Sequence, residues 1–63
     1  MEPHEVRELR ESLGMTLEDM ARYLGLRHRS QALHLENGRT AVRGAKLKML
    51  LLLRDTGGKI LSR

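Results

Sequence analysis

Side chains that can recognise flat hydrogen-bonding edges are concentrated in one short stretch near the middle of the chain. An arginine can form paired hydrogen bonds with O6 and N7 of guanine, and a glutamine amide suits adenine. A serine can donate to a base or a phosphate, and a leucine can contact a thymine methyl group. The candidates are Arg29, Ser30, Gln31, Leu33 and His34. The alternative is a solvated helix face on which Ser30 caps the helix.

The residues before this stretch predict a helix that ends in a tight turn. Thr16 is suited to the N-cap, and Asp19 lies three residues later in an approximate capping box. Apolar residues then recur on one helix face, and Gly25 permits the left-handed turn that ends the helix. The apolar residues are Leu17, Met20, Ala21 and Leu24.

A second helix follows the turn and carries the candidate base contacts. Ala32 and Leu35 take its two buried positions, and Asn37-Gly38 ends it. With those two side chains turned inward, the five candidates face outward. The start of this helix is undecided within Leu26-Arg27-His28-Arg29, and a register counted back from Glu36 places Arg27 and His28 in the turn.

Two further helices flank this pair. Pro3 suits a first helical turn, and a helix from about residue 4 to Leu13 places Val6 and Leu9 on one face. A last helix from about Ala45 to Asp55 is apolar on both sides, which predicts that both sides are buried.

One half of this last helix carries Leu47, Leu50 and Leu51, and we expect it to close the core. The opposite half carries Met49, Leu52 and Leu53, and a tail at about 57–63 adds Ile60 and Leu61. We expect these five residues to form a dimer interface with a second copy. The alternative is that the tail folds back over the helix.

The composition narrows the classes of function. The chain has 63 residues, no cysteine and a formal charge of +4, so we expect one domain over residues 1–63 without a separate sensing domain, and a polyanionic partner. The three histidines lack metal-ligand spacing, and Ser12, Ser30 and Ser62 have no nearby base, so no metal, cofactor or enzyme activity is expected. We find no signal peptide and no membrane-spanning run, which predicts a cytoplasmic protein.

Several short motifs resemble the helix-turn-helix of phage Cro and repressor proteins, the Xre-like family. They are Gly14-Met15-Thr16, Ala21, Leu24-Gly25 and Leu35-Glu36-Asn37-Gly38-Arg39-Thr40. The resemblance covers roughly residues 6 to 53. It implies an all-α fold, a compact bundle of about four helices like that of lambda repressor, and double-stranded DNA as partner. In this motif the second helix enters the major groove.

The resemblance also implies contacts with the DNA backbone and one internal ion pair. The expected backbone contacts are Thr16, Arg27, His28, Asn37, Arg39, Thr40, Arg43 and Lys46. At the first position of the earlier helix, where relatives often carry glutamine, this chain has Leu17, which predicts a weakened phosphate anchor. Relatives pair an arginine with a glutamate at the positions of Arg10 and Glu36. The turn before the second helix holds one residue more than the family pattern.

These features predict a dimeric transcriptional repressor that binds a palindromic operator in the promoter of its own operon. Phage Cro-like and anti-CRISPR-associated regulators are examples of this kind. The competing interpretation is an antitoxin or protein-interaction module whose main partner is another protein. Neither interpretation includes a small-molecule substrate or a membrane.

Overall fold

The computed structural model describes residues 1–61 and contains four α-helices. They are α1 (Pro3–Ser12), α2 (Leu17–Leu24), α3 (Arg29–Glu36) and α4 (Gly44–Asp55), followed by a 3₁₀ turn at Lys59–Leu61. Within the described residues there is no β-strand. The predicted all-α fold is therefore confirmed. Residues 62 and 63, the end of the predicted tail and the site of Ser62, lie outside the described part of the chain.

The start of α2 is fixed by a reciprocal cap. The Asp19 backbone N–H donates to Thr16 Oγ1 and the Thr16 backbone N–H donates to Asp19 Oδ2, both at 3.0 Å. These bonds satisfy N–H groups that a helix start otherwise leaves unpaired. The hydrogen bond from the Thr16 backbone lowers the pKa of Asp19 below its ordinary value. At the other end, Gly25 has φ +72°, the left-handed conformation that ends the helix.

The core lies between all four helices. Val6 of α1, Met20 of α2, Leu35 of α3 and Leu50 of α4 have almost no exposed surface. Ala32 is also fully buried, and its small side chain allows α3 to lie close against α2. Met15, in the turn after α1, joins this cluster although the periodicity of the sequence gave no sign of it.

The prediction for the two faces of α4 is wrong at Leu53 and Met49, which both pack in or against the core, while Leu47 and Leu51 are only half-buried. Leu53 is completely buried in the core of the protomer together with Leu50, and it has no surface for a partner. At about 100° per residue, positions three apart lie about 60° from each other on a helix. Leu50 and Leu53 therefore share a face, and only Leu52 remains strongly exposed on the other side, at 45%.

A single aromatic side chain connects α2 to α4. The Tyr23 hydroxyl donates to the backbone carbonyl of Met49 at 2.7 Å. The Tyr23 ring is partly buried against the core, and this burial raises the pKa of its hydroxyl. The bond fixes the middle of α4 against the helix that precedes the turn.

Candidate nucleic-acid interface

Helix α3 buries one side and exposes the other. Ala32, Leu35 and Glu36 face the interior. Ser30 and His34 lie about 160° from Ala32 on the helix and Leu33 about 100°; Ser30 is exposed, Leu33 is 44% exposed and His34 is half-exposed. Arg29, in the first turn, lies about 60° from Ala32 and Gln31 about 100° from it; both are exposed. All five candidate base contacts are therefore accessible on one eight-residue helix.

The start of α3 resolves the position that the sequence left open. His28 is the N-cap and Arg29 the first helical residue, so Arg27 and His28 belong to the turn. The Gln31 Oε1 atom accepts hydrogen bonds from the backbone N–H groups of Arg27, at 2.9 Å, and His28, at 3.1 Å. This role of Gln31 was not predicted from the sequence. The signal was present, because a glutamine three residues after the cap is one half of a capping box.

The ion pair implied by the resemblance is present and nearly closed to solvent. Arg10 Nε lies 2.6 Å from Glu36 Oε2 and Arg10 Nη2 lies 3.2 Å from Glu36 Oε1. Arg10 Nη1 also donates to the Met15 carbonyl at 3.0 Å. The hydrogen bond to Glu36 raises the pKa of Arg10. One side chain thus connects α1, the turn after it and the last residue of α3.

The loop after α3 is held by its own polar groups. The Arg39 N–H donates to Asn37 Oδ1 at 3.0 Å, and the Thr40 N–H donates to the His34 carbonyl at 3.1 Å. Gly38 takes a φ of +85°, which a residue with a side chain rarely adopts. This folded loop leaves the Asn37, Arg39 and Thr40 side chains exposed.

Residues 27–48, which we call the basic segment, carry a strong and uncompensated positive charge. The segment holds six lysine and arginine residues and one carboxylate, Glu36. That carboxylate is buried against Arg10 and therefore compensates none of the six. Within residues 1–61, none of these six side chains has an ion-pair partner. The six residues are Arg27, Arg29, Arg39, Arg43, Lys46 and Lys48.

The predicted backbone contacts differ in their accessibility. Lys46 is half-buried, and the other residues of that group are exposed. Thr16 stands apart from the basic segment, because its hydroxyl accepts the Asp19 N–H and the first turn of α2 contains two carboxylates, Glu18 and Asp19. At the opposite end of the segment, Arg43 is the N-cap of α4 and the first turn of α4 contains no acidic residue.

The predicted dimer residues separate into three groups. Leu52, Ile60 and Leu61 are exposed by 45%, 43% and 42%. Met49 is half-buried and packs against the core, while Leu53 lies inside it. We call Leu52, Ile60 and Leu61 the apolar patch. In residues 1–61 no cluster of three potential metal ligands occurs, and no helix there is long and apolar enough to cross a membrane.

The short polar helix α3 packs against α2 and is joined to it by a four-residue turn at residues 25–28. This arrangement defines a helix-turn-helix protein. The family model described as Helix-turn-helix, of the Xre/Cro-like type, matches residues 6–53 and so covers α2, α3 and most of α1 and α4. The chain belongs to the Xre/Cro-like helix-turn-helix family, whose members are DNA-binding regulators. Comparison with the curated proteins and with the solved structures gave no match.

Proposed function

We propose that the protein is a sequence-specific repressor that binds double-stranded DNA as a homodimer and represses its own operon. The observation that carries this proposal is the basic segment, in which six cationic side chains lie in α3 or close to it in the chain and have no ion-pair partner among residues 1–61. Cations without internal partners are suited to a polyanion, because binding then requires no ion pair to break. A phage or other mobile element is the proposed source, and the cytoplasm the proposed location.

The base contacts in this proposal come from the outward side of α3. Arg29 forms paired hydrogen bonds with a guanine, Ser30 and His34 contact base edges or nearby phosphates, and Leu33 contacts a thymine methyl group. The exposure of all four side chains supports these assignments. Gln31 is exposed on the same helix, but its side-chain oxygen already accepts two backbone hydrogen bonds.

The backbone contacts position the protein without selecting a sequence. We assign them to the turn before α3, the loop after it and the start of α4. The proposed residues are Thr16, Arg27, His28, Asn37, Arg39, Thr40, Arg43 and Lys46. Thr16 is the weakest member, because a phosphate at this helix start would approach Glu18 and Asp19.

The dimer is proposed to form through the apolar patch, with Met49 at its edge. Two copies related by a two-fold axis would place their α3 helices in successive major grooves, about 34 Å apart, on a palindromic operator. Leu52→Glu combined with Ile60→Glu should give a monomer in sedimentation experiments. A dimer that persists in this variant would place the interface elsewhere.

A second candidate function is a protein-interaction module such as an antitoxin. The apolar patch favours it, because three exposed large aliphatic side chains could equally contact a different protein. In that case the basic segment would contribute only weak, salt-sensitive attraction to DNA.

Fluorescence anisotropy on labelled duplexes distinguishes the two functions. Duplexes tiled from the region upstream of the gene are compared with a scrambled duplex at about 0.15 M salt. We expect saturable binding to one tile, tighter than to the scramble by roughly a thousandfold or more. Equal and weak binding to every tile would overturn the repressor proposal and favour the protein partner.

A further inference from the structure

The side-chain oxygen of Gln31 is fully used inside the protein. An amide carbonyl oxygen has two lone pairs and can accept two hydrogen bonds. In this structure both come from the protein's own backbone, from the N–H groups of Arg27 at 2.9 Å and His28 at 3.1 Å. The amide nitrogen of Gln31 is then the only group of this side chain left for a ligand.

This arrangement conflicts with adenine recognition by Gln31. A glutamine that recognises adenine accepts from N6 with its oxygen and donates to N7 with its nitrogen. Gln31 would have to release both backbone N–H groups in order to form that pair. Those two groups are exposed, so water would replace the lost bonds, but the turn would lose the contacts that define it.

The same bonds determine where α3 begins. Arg27 and His28 are the last two residues of the turn, and Gln31 sits in the first turn of α3, so its side chain connects the turn to the helix. Because α3 has only eight residues, a shift of its start by one residue would move Arg29 out of the helix.

We propose that Gln31 is a positioning residue: it fixes the start of α3, acts on DNA recognition through Arg29, and does not itself recognise adenine. This inference rests on the proposed function, since it concerns how the same helix selects its sequence.

The first test needs no DNA. Amide exchange rates of Arg27 and His28 are measured by NMR in the wild type, in Gln31→Ala and in Gln31→Glu. Loss of the accepting oxygen in Gln31→Ala should accelerate both amides about fivefold or more. Gln31→Glu keeps an accepting oxygen at the same position and should retain the protection. Glu8→Ala, an exposed change on α1, is the control and should leave both rates unchanged.

The second test measures discrimination at every base pair of the operator. Each pair is substituted in turn, and the ratio of cognate to substituted affinity is used, so that the charge of Gln31→Glu cancels. In Gln31→Ala, discrimination at the guanine contacted by Arg29 should fall about tenfold, with no selective loss at an adenine. Gln31→Glu should restore the discrimination at that guanine.

Two results would overturn the inference. One is unchanged exchange of the Arg27 and His28 amides in Gln31→Ala, which would show that Gln31 does not fix the start of α3. The other is loss of discrimination at one adenine alone, which would make Gln31 a base-contacting residue. If the wild-type protein discriminates at no base pair of the operator, the proposed function itself is overturned. Gln31 then has no role in sequence recognition.

Discussion

Residues 1–22 and residues 23–63 use their charges in opposite ways. The first region has six acidic and three basic residues, a formal charge of −3, and the second has nine basic and two acidic residues, a charge of +7. Each basic residue of the first region lies within 4 Å of a carboxylate. In the second region, up to residue 61, only Arg54 does. Charges that hold a fold together are paired, while charges kept for a partner are left unpaired.

We therefore expect loss of the nearly buried ion pair of Arg10 in the first region to change stability, and substitutions in the basic segment to change DNA binding.

Removal of Arg10 should have the largest effect on stability. Arg10→Ala leaves Glu36 buried without its partner, which typically costs about 3–5 kcal/mol. Urea denaturation followed by circular dichroism measures the loss. Arg7→Ala removes an exposed ion pair with Glu11 and should change stability by less than about 1 kcal/mol. Equal losses of unfolding free energy in Arg10→Ala and Arg7→Ala would contradict a special role for the buried pair of Arg10 and Glu36.

Arg29→Ala should act on DNA binding alone. We expect a loss of about 1–3 kcal/mol at the cognate operator and relaxed discrimination at one base pair. The free energy of unfolding should stay the same, because Arg29 has no ion-pair partner among residues 1–61. Anisotropy titrations measure the binding, with Arg54→Ala as a control that removes one positive charge outside the basic segment. A lower free energy of unfolding in Arg29→Ala would contradict the division between charges that stabilise the fold and charges that bind DNA.

Arg39→Ala should weaken binding to all sequences by a similar factor. A lost phosphate contact reduces the slope of log affinity against log salt by about one. Titrations at several salt concentrations, on the operator and on a scrambled duplex, give this slope. If Arg29→Ala and Arg39→Ala behave alike on both duplexes, the outward face assigned to α3 is wrong.

Tyr23→Phe tests the connection between α2 and α4. The variant removes one hydrogen bond between α2 and the Met49 carbonyl of α4, and should cost about 1 kcal/mol. Chemical denaturation should show a single transition at lower urea. Two separate transitions would mean that α2 and α4 unfold independently.

The smallest effect should appear at low pH. Hydrogen bonding from Thr16 lowers the pKa of Asp19 in the folded protein below 3.8. The ionised Asp19 therefore contributes its full stabilisation at pH values above its ordinary pKa. This stabilisation is lost as the pH falls through the lower pKa of the folded protein. Thermal melts at several pH values should show less acid sensitivity in Asp19→Asn. A backbone hydrogen bond from Glu2 likewise lowers the pKa of Glu5. Glu5 is present in both proteins, so the acid sensitivity that it causes should be the same in both.

The sequence predicted the helix-turn-helix well where local chemistry determines structure. Thr16, Asp19 and Gly25 fix both ends of α2 through hydrogen bonds and backbone conformation within a few residues. The pairing of Arg10 with Glu36 followed from the family resemblance, since the two residues are distant in the chain and no local pattern connects them.

The sequence failed where several residues of one kind adjoin. Residues 50–53 are four consecutive leucines, which carry no polar residue to mark the solvent side of α4. The structure had to show that Leu53 is buried and Leu52 exposed. The start of α3 was undecided for a similar reason, because Arg27, His28 and Arg29 are equally compatible with a turn and with a helix.

The bond between Tyr23 and α4 has a consequence for spectroscopy. The chain contains one tyrosine, no tryptophan and no phenylalanine, so its near-ultraviolet signal comes from a single ring. That ring lies where α2 meets α4, with its hydroxyl on the Met49 carbonyl. Intrinsic emission from the unlabelled protein therefore reports the contact between these two helices.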